Sequence, residues 1–391
     1  MSVSIDVAWR SLNKYQEELC GDKVEIVKTG DSDIVILADG MGSGVKANIL
    51  ATLTSKILGT MLNEGAAIES CVETIARTLP ICKVRKVAYA TFSILQIFHS
   101  GQAYLAEFDN PSCVFIRDGK IVDYPYEVRE IEGKKIHECR FRVKKNDCFV
   151  LVSDGVIYAG AGSILNMQGW TWEAVAEYTL KCTRQTMSAS RLAVLLSQAC
   201  DELYEEKPGD DTTVAVARVI ERRIVSLFTG PPKDKKDDER LMHDFMRSEG
   251  KKVIAGGTSS NIAARILGKE IITQADSCSP DVPPMASIEG IDLVTEGVLT
   301  LGGCLKLLNK YVSGEFDAEF FDELDADNGA SRLARLLIEE CTELNLFVGT
   351  AVNDAHKNSE LSFELSMRMN IVDQLVRTAE KMGKNVTVKY Y

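Results

Sequence analysis

The chain opens with an alternation of apolar and polar residues over Ser2–Ala8, the pattern of a half-buried strand. Val24–Val27 and Ile34–Ala38 flank Thr29-Gly30-Asp31-Ser32, a turn-rich segment that predicts a hairpin. From Gly44 the period lengthens. Leu50, Leu53, Ile57, Leu58, Met61 and Leu62 recur at helical spacing and stop near Gly65. Ile68, Val72, Ile75 and Leu79 predict a second helix. Strands then dominate, at Val87–Phe98, Gln102–Phe108, Cys113–Ile116, Lys120–Tyr124 and Cys148–Ser153, with Asp118-Gly119 as a hairpin turn. Helices follow at Trp172–Cys182 and Ser190–Glu205, and the strand Thr213–Ile220 closes the block. Strands in adjacent runs with paired helices predict antiparallel sheets with helices packed outside them.

Beyond Arg222 the rhythm changes. Gly230-Pro231-Pro232 and the charged run Lys233–Arg240 mark a boundary region, and those charges equally suit a helix start. Strands and helices then alternate singly. The strand Val253–Ala255 precedes a helix from Ser259 to Leu267, and Glu270–Thr273 reads as a strand. Asp292–Thr295 precedes a helix near Leu299–Tyr311. Ser331–Leu344 is helical, Leu346–Val352 a strand, Met367–Met382 helical and Val386–Tyr391 a final strand. This rhythm predicts a small α/β domain with some parallel pairing. At 391 residues the chain exceeds what one compact core usually supports, so two domains are expected, 1–222 and 223–391.

The formal net charge is -12, which argues against nucleic-acid binding because a phosphate backbone needs a basic surface. The 11 cysteines include no CxxC pair and no Cys/His cluster at zinc spacing, so they read as small core residues in a reducing cytoplasm. No apolar run approaches membrane-spanning length, and no membrane segment is expected.

The chemistry lies in four acidic motifs at strand ends or turns. They are Gly21-Asp22, Asp39-Gly40-Met41-Gly42-Ser43-Gly44, Ser153-Asp154-Gly155 and Gly209-Asp210-Asp211-Thr212-Thr213. Two apolar strands run straight into an Asp-Gly pair, Ile34–Ala38 into Asp39 and Phe149–Ser153 into Asp154. A single Asp-Gly pair is an ordinary turn. Several carboxylates at strand ends are able to converge on hard divalent cations.

These ordered motifs resemble those of the protein phosphatase 2C superfamily, in its bacterial branch typified by stage II sporulation protein E. Ala90-Thr91-Phe92-Ser93 and Asp109-Asn110-Pro111-Ser112 match intervening landmarks. The resemblance covers about residues 1–222. It implies a phosphatase 2C-like β-sandwich of antiparallel sheets flanked by helices, α/β (α+β) in class, followed by the smaller α/β domain. It also implies a protein serine/threonine phosphatase that uses two Mn²⁺ or Mg²⁺ ions to activate a water against a phosphoprotein. By the same resemblance Asp39 bridges both ions, the Gly40 carbonyl ligates one, Asp154 and Asp210 ligate the other, and Asp22 acts nearby through water. Asp211 is the weaker candidate of its pair, and Asp31 reads as structural. Arg10 matches no motif and reads as a surface or strand-end residue. The alternative is a noncatalytic module that uses the same fold to bind a partner.

In the second domain, Val253-Ile254-Ala255 leads into Gly256, Gly257, Thr258, Ser259 and Ser260 and then a helix. Glycines and hydroxyls at a helix start suit a small anionic ligand. Ser259 or Ser260 serving only as N-cap is the plain alternative. Asp292, Thr295 and Glu296 are expected beside that loop.

Overall fold

The computed structural model describes residues 3–78, 90–162, 169–274, 284–351 and 360–391. Ser2, Leu79, Val87–Tyr89 and Val352, each at the edge of a predicted element, lie outside them. The chain divides into two compact units, Met1–Glu221 and Arg222–Tyr391.

In the first unit the elements run β1 (Val3–Leu12), β2 (Asp22–Lys28), β3 (Ser32–Gly40), α1 (Gly44–Asn63) and α2 (Ile68–Thr78). Seven strands follow: β4 (Ala90–Phe98), β5 (Gln102–Phe108), β6 (Val114–Arg117), β7 (Lys120–Ile121), β8 (Glu127–Ile131), β9 (Lys134–Arg142) and β10 (Cys148–Val152). The short α3 (Asp154–Ile157), then α4 (Trp172–Cys182), α5 (Ala189–Leu203) and β11 (Thr212–Glu221) complete it. The strands form two antiparallel sheets, ordered β1-β11-β10-β6-β7 and β2-β3-β4-β5-β9-β8. One core lies between the inner faces, where Val35, Leu37, Leu95 and Leu105 meet Phe115, Phe149, Leu151 and Ala217. α1 and α2 cover the outer face of the second sheet through Ile34, Ile36, Phe92 and Ile94. α4 and α5 cover the outer face of the first through Val150, Val152, Val214 and Val216. Burial on both faces explains why β3 and β10 are continuous apolar runs and do not alternate.

β8 and β9 escape the hydrophobic pattern. β8 is an edge strand with charged, largely exposed residues, and such edges carry little periodicity.

The second unit contains β12 (Ile224–Thr229), α6 (Asp238–Arg247), β13 (Lys251–Ala255), α7 (Gly257–Leu267), β14 (Ile272–Gln274), β15 (Met285–Ser287) and β16 (Leu293–Thr295). It continues with α8 (Val298–Val312), α9 (Ala318–Asp325), α10 (Gly329–Glu339), β17 (Glu343–Val348), α11 (Glu360–Lys381) and β18 (Asn385–Tyr390). The sheet order is β14-β15-β16-β13-β12-β17-β18. From β16 to β18 all neighbours are parallel. The five parallel strands taken in chain order therefore stand 3-2-1-4-5, a doubly wound arrangement. α6 and α7 bury Leu241, Phe245 and Ile262 against Phe228, Ile254, Val294 and Phe347 on one face.

The central strand β12 is absent from the sequence reading, which left Ile224–Thr229 unassigned ahead of the boundary region. Its six residues are all buried, so the run Ile-Val-Ser-Leu-Phe-Thr shows no alternation to read. The predicted helix Ser331–Leu344 also ends early, at Glu339, because Leu344 and Leu346 belong to buried β17. α9 was likewise absent from the sequence reading.

Candidate functional site

Each acidic motif of the first unit lies where a strand stops. Asp39, near the end of β3, stands directly opposite Asp22 at the start of β2. Residues directly opposite in an antiparallel pair project from one face, with Cβ atoms about 5 Å apart. The register alone therefore forces two carboxylates together. Asp154 is the first residue of α3, immediately after β10. Its neighbour Ser153 is clamped to β11: the Ser153 N–H donates to the Thr213 carbonyl at 3.0 Å, and Ser153 Oγ accepts the Thr213 N–H at 2.8 Å. That clamp sets the Asp154 turn beside Asp210 and Asp211, which lead into β11.

Glycines allow the segments to close. A Cβ on Gly40 would collide with the Ala47 carbonyl in α1 and reach the Gly21 carbonyl at 2.9 Å. A Cβ on Gly155 would collide with the Asp211 carbonyl and approach Thr212 Oγ1 at 2.6 Å. The Gly40 N–H donates to the Gly21 carbonyl at 3.1 Å, fastening the two Gly-Asp segments. Tyr204 Oη donates to the Gly155 carbonyl at 2.6 Å.

The electrostatics show a cluster short of positive charge. Asp22 is 4% exposed, and neither of its carboxylate oxygens has a hydrogen-bond partner. Burial pushes its carboxyl up to about 7; the Ser153 and Thr213 hydroxyls nearby oppose that rise without reaching hydrogen-bond geometry, while Asp211 and Asp154 add to it. Asp39 is pushed up to about 9, first by burial and then by the charges of Asp22, Asp154, Asp210 and Asp211. Burial likewise raises Asp154 and Asp211. Asp211 Oδ1 accepts the Lys14 N–H at 3.0 Å, and its buried Oδ2 has no partner. Asp210 is more open, with Lys14 Nζ at 3.5 Å from its Oδ1.

Asp22, Asp39, Asp154, Asp210 and Asp211 thus share one locality. Lys14 belongs to it too, although no motif in the sequence marks it. Asp31 lies apart, bonded to Thr29 Oγ1 within its turn. Arg10 lies on β1 opposite Val214. Thr91 and Ser93 bond Asn110 and tie β4 to the loop after β5.

Among the described residues, no three His, Cys, Asp or Glu side chains stand close enough to form a ready-made metal-ligand set. The fit to a hard divalent cation rests on other observations. The donors are all oxygen, three buried carboxylate oxygens lack partners, and burial, reinforced by mutual repulsion, raises the carboxyls above their ordinary range.

In the second unit the glycine loop is already helix. Gly256 is the N-cap, and Gly257, Thr258, Ser259 and Ser260 form the first turn of α7. Neither serine is the N-cap, because the helix begins at Gly257, two residues before the predicted start. Thr295 lies at this loop, its carbonyl accepting the Gly256 N–H at 3.0 Å. Asp292 does not. Its Oδ2 accepts the Lys252 N–H at 2.7 Å, at the opposite end of β13.

An antiparallel sandwich flanked by helices, with carboxylates gathered at strand ends, defines the first unit as a phosphatase 2C-type fold. Residues 29–220 match the family model "Stage II sporulation protein E (SpoIIE)". The first unit belongs to that family. Solved structures are similar to this chain at low identity. The phosphatase domain of SpoIIE from Bacillus subtilis is 17% identical, with a TM-score of 0.42 over 56% of this chain and 94% of that one. The S. agalactiae serine/threonine phosphatase is 15% identical, with a TM-score of 0.41 over 56% of this chain and 100% of that one. RsbX, solved in complex with magnesium, is 19% identical, with a TM-score of 0.40 over 55% and 95%. The comparison with curated proteins gives no match. Among the described residues no helix is long and apolar enough to cross a membrane.

Proposed function

We propose that the first unit is a metal-dependent protein serine/threonine phosphatase acting on a phosphoprotein. The observation that carries this reading is the cross-strand pair of buried Asp22 and half-buried Asp39, joined by Asp154, Asp210 and Asp211. Asp39, Asp154 and Asp210 would hold two Mn²⁺ or Mg²⁺ ions, with the Gly40 carbonyl as a further ligand and Asp22 acting close by. When bound, the ions would supply charge neutralisation at a phosphoryl group and an activated water.

The chain's own residues position and discharge this site. Asp39 and Asp22 are fixed by the β2–β3 register, and the Ser153–Thr213 clamp fixes Asp154. Lys14 Nζ lies beside Asp210 and offsets part of the negative charge where an anionic substrate must approach. Asp211 works through structure, holding the Lys14 backbone and so placing its ammonium. For the second unit we infer that Gly256, Gly257, Thr258, Ser259 and Ser260 hold a small anionic ligand that modulates the phosphatase.

Hydrolysis of an aryl phosphate with added Mn²⁺ or Mg²⁺, measured for the native chain and for Asp39→Asn, tests the assignment. Metal-dependent turnover by the native chain, lost in a folded Asp39→Asn protein, is expected. A native chain without turnover on the aryl phosphate and on phosphoserine peptides would favour a noncatalytic binding module.

A further inference from the structure

Two helices of the second unit start side by side, and no side chain caps either of them. α7 follows Gly256 and α8 follows Gly297, and neither has an acidic residue in its first turn. By contrast, Asp317 caps α9 and Asn328 caps α10. A Cβ on Gly297 would stand 3.4 Å from the Gly256 Cα, so the two N-termini share one junction. It lies at the carboxyl ends of the adjacent parallel strands β13 and β16, where Ala255 pairs with Thr295. Doubly wound sheets bind ligands outside the carboxyl ends of their strands. The first N–H groups of each helix have no intrahelical acceptor and carry partial positive charge.

An independent observation points to a ligand. The third residue of each helix buries a hydroxyl with no partner. Ser259 is 1% exposed and Thr300 fully buried, yet Ser259 Oγ and Thr300 Oγ1 make no hydrogen bond. The next residue shows the usual solution: Ser260 Oγ donates to the Gly256 carbonyl at 2.9 Å. Ser259 Oγ instead turns back to the junction, where it would lie 3.3 Å from a Cβ on Gly256. A buried polar group left unpaired is destabilising, so two at matched positions call for an acceptor-rich occupant. Space is available beside them, since a Cβ on Gly257 would meet no atom within 4 Å. Glu296 supplies the opposite character. It joins β16 to Gly297, and its Oε2 is buried without a partner. A carboxylate only accepts hydrogen bonds, so it requires donors on the occupant.

We propose that this junction binds a phosphate monoester of a polyol, the class that includes sugar phosphates and nucleoside monophosphates. The phosphate lies on the N-termini of α7 and α8, bonded by the Ser259 and Thr300 hydroxyls, and a ligand hydroxyl donates to Glu296. The proposal rests on the anion site at Gly256–Ser260 and adds Glu296, Gly297, Thr300 and the hydroxyl-bearing half of the ligand. No lysine or arginine occurs in Gly256–Asn261 or Glu296–Thr300, so backbone N–H groups and hydroxyls carry the recognition.

Calorimetric titration of the full-length chain in chelator, which suppresses metal-linked phosphate binding by the first unit, tests this. The probes are inorganic phosphate, ribose 5-phosphate and AMP, and whichever ester binds tighter identifies the source class. At least one ester is expected to bind about tenfold tighter than inorganic phosphate, a difference of about 1.4 kcal/mol. Ser259→Ala and the near-isosteric Thr300→Val should weaken phosphate and ester alike by several-fold, while Glu296→Gln should weaken the ester alone. Thermal melts of each variant confirm folding. If no probe binds, both this proposal and the simple anion site fail. If phosphate binds as tightly as either ester, or Glu296→Gln leaves the ester unchanged, the proposal fails and the anion site stands. Unchanged phosphate affinity in both hydroxyl variants overturns the proposal as well.

Discussion

At Asp39 four other carboxylates bear on one side chain, and two measurements follow. Without metal, burial and the neighbouring carboxylates push Asp39 up to about 9 and Asp22 up to about 7, against about 4 in an unfolded chain. The folded state therefore holds extra protons between those limits, and stability falls as pH rises through that window. Urea midpoints should be lower at pH 9 than at pH 5, with a smaller drop in Asp39→Asn. The neighbours Asp210 and Asp211 should separate by role. Asp210 is half exposed and touches Lys14 Nζ, so Asp210→Asn should abolish most turnover with little change in stability. Asp211 is buried and bonds the Lys14 N–H, so Asp211→Ala should cost about 1–3 kcal/mol, read by urea unfolding. Equal activity losses at unchanged stability would reverse the assignment. The sequence named Asp39, Asp154 and Asp210 through motif order. It left Lys14 unnamed because the contact joins residues 196 positions apart, and no local pattern records it.

Among the elements, the site depends on how closely β3 and β10 deliver their terminal turns to neighbouring backbone. A methyl group on Gly155 has no room against the Asp211 carbonyl and Thr212 Oγ1. Gly155→Ala should therefore displace the Asp210–Thr212 turn and cost about 1–3 kcal/mol by overpacking, with turnover falling further than stability. Denaturation and aryl phosphate hydrolysis on the same preparation would show it. Native-like turnover would mean the turn is not held by this contact. Strands such as β3 and β10 were legible as apolar runs, whereas β8 and β12 were not. β8 is charged and exposed at a sheet edge, and β12 is buried throughout while Ser226 and Thr229 interrupt its apolar run, so it shows neither alternation nor an unbroken apolar stretch.

For the whole molecule, each unit has its own sheets and its own core residues, so divalent cation should act on one of them. Ligand binding to the folded state alone stabilises by mass action, about 2.7 kcal/mol at a hundredfold excess over Kd. Mn²⁺ or Mg²⁺ should raise the melting temperature of a fragment covering residues 1–221 and leave a fragment of 222–391 unchanged. Asp39→Asn should remove the shift in the first fragment. A cation shift confined to the second fragment would misplace the metal site.

The sequence by itself determined the type of most elements, the antiparallel character of the first unit, the alternating rhythm of the second, and the order of the acidic motifs. These are local properties, written in periodicity and in residues that neighbour one another along the chain. Tertiary structure decided which strands pair and in what register. Only the β2–β3 register sets Asp22 opposite Asp39, and only the β10–β11 clamp brings Asp154 to Asp210. It also decided that Gly256 and Gly297, distant in sequence, meet at one junction while Asp292 goes to the far end of its strand. The physical reason is the same throughout. A carboxylate or hydroxyl becomes chemically unusual when burial removes water and packing supplies like charges or no partner. Burial and packing belong to the folded neighbourhood, which a linear pattern does not contain.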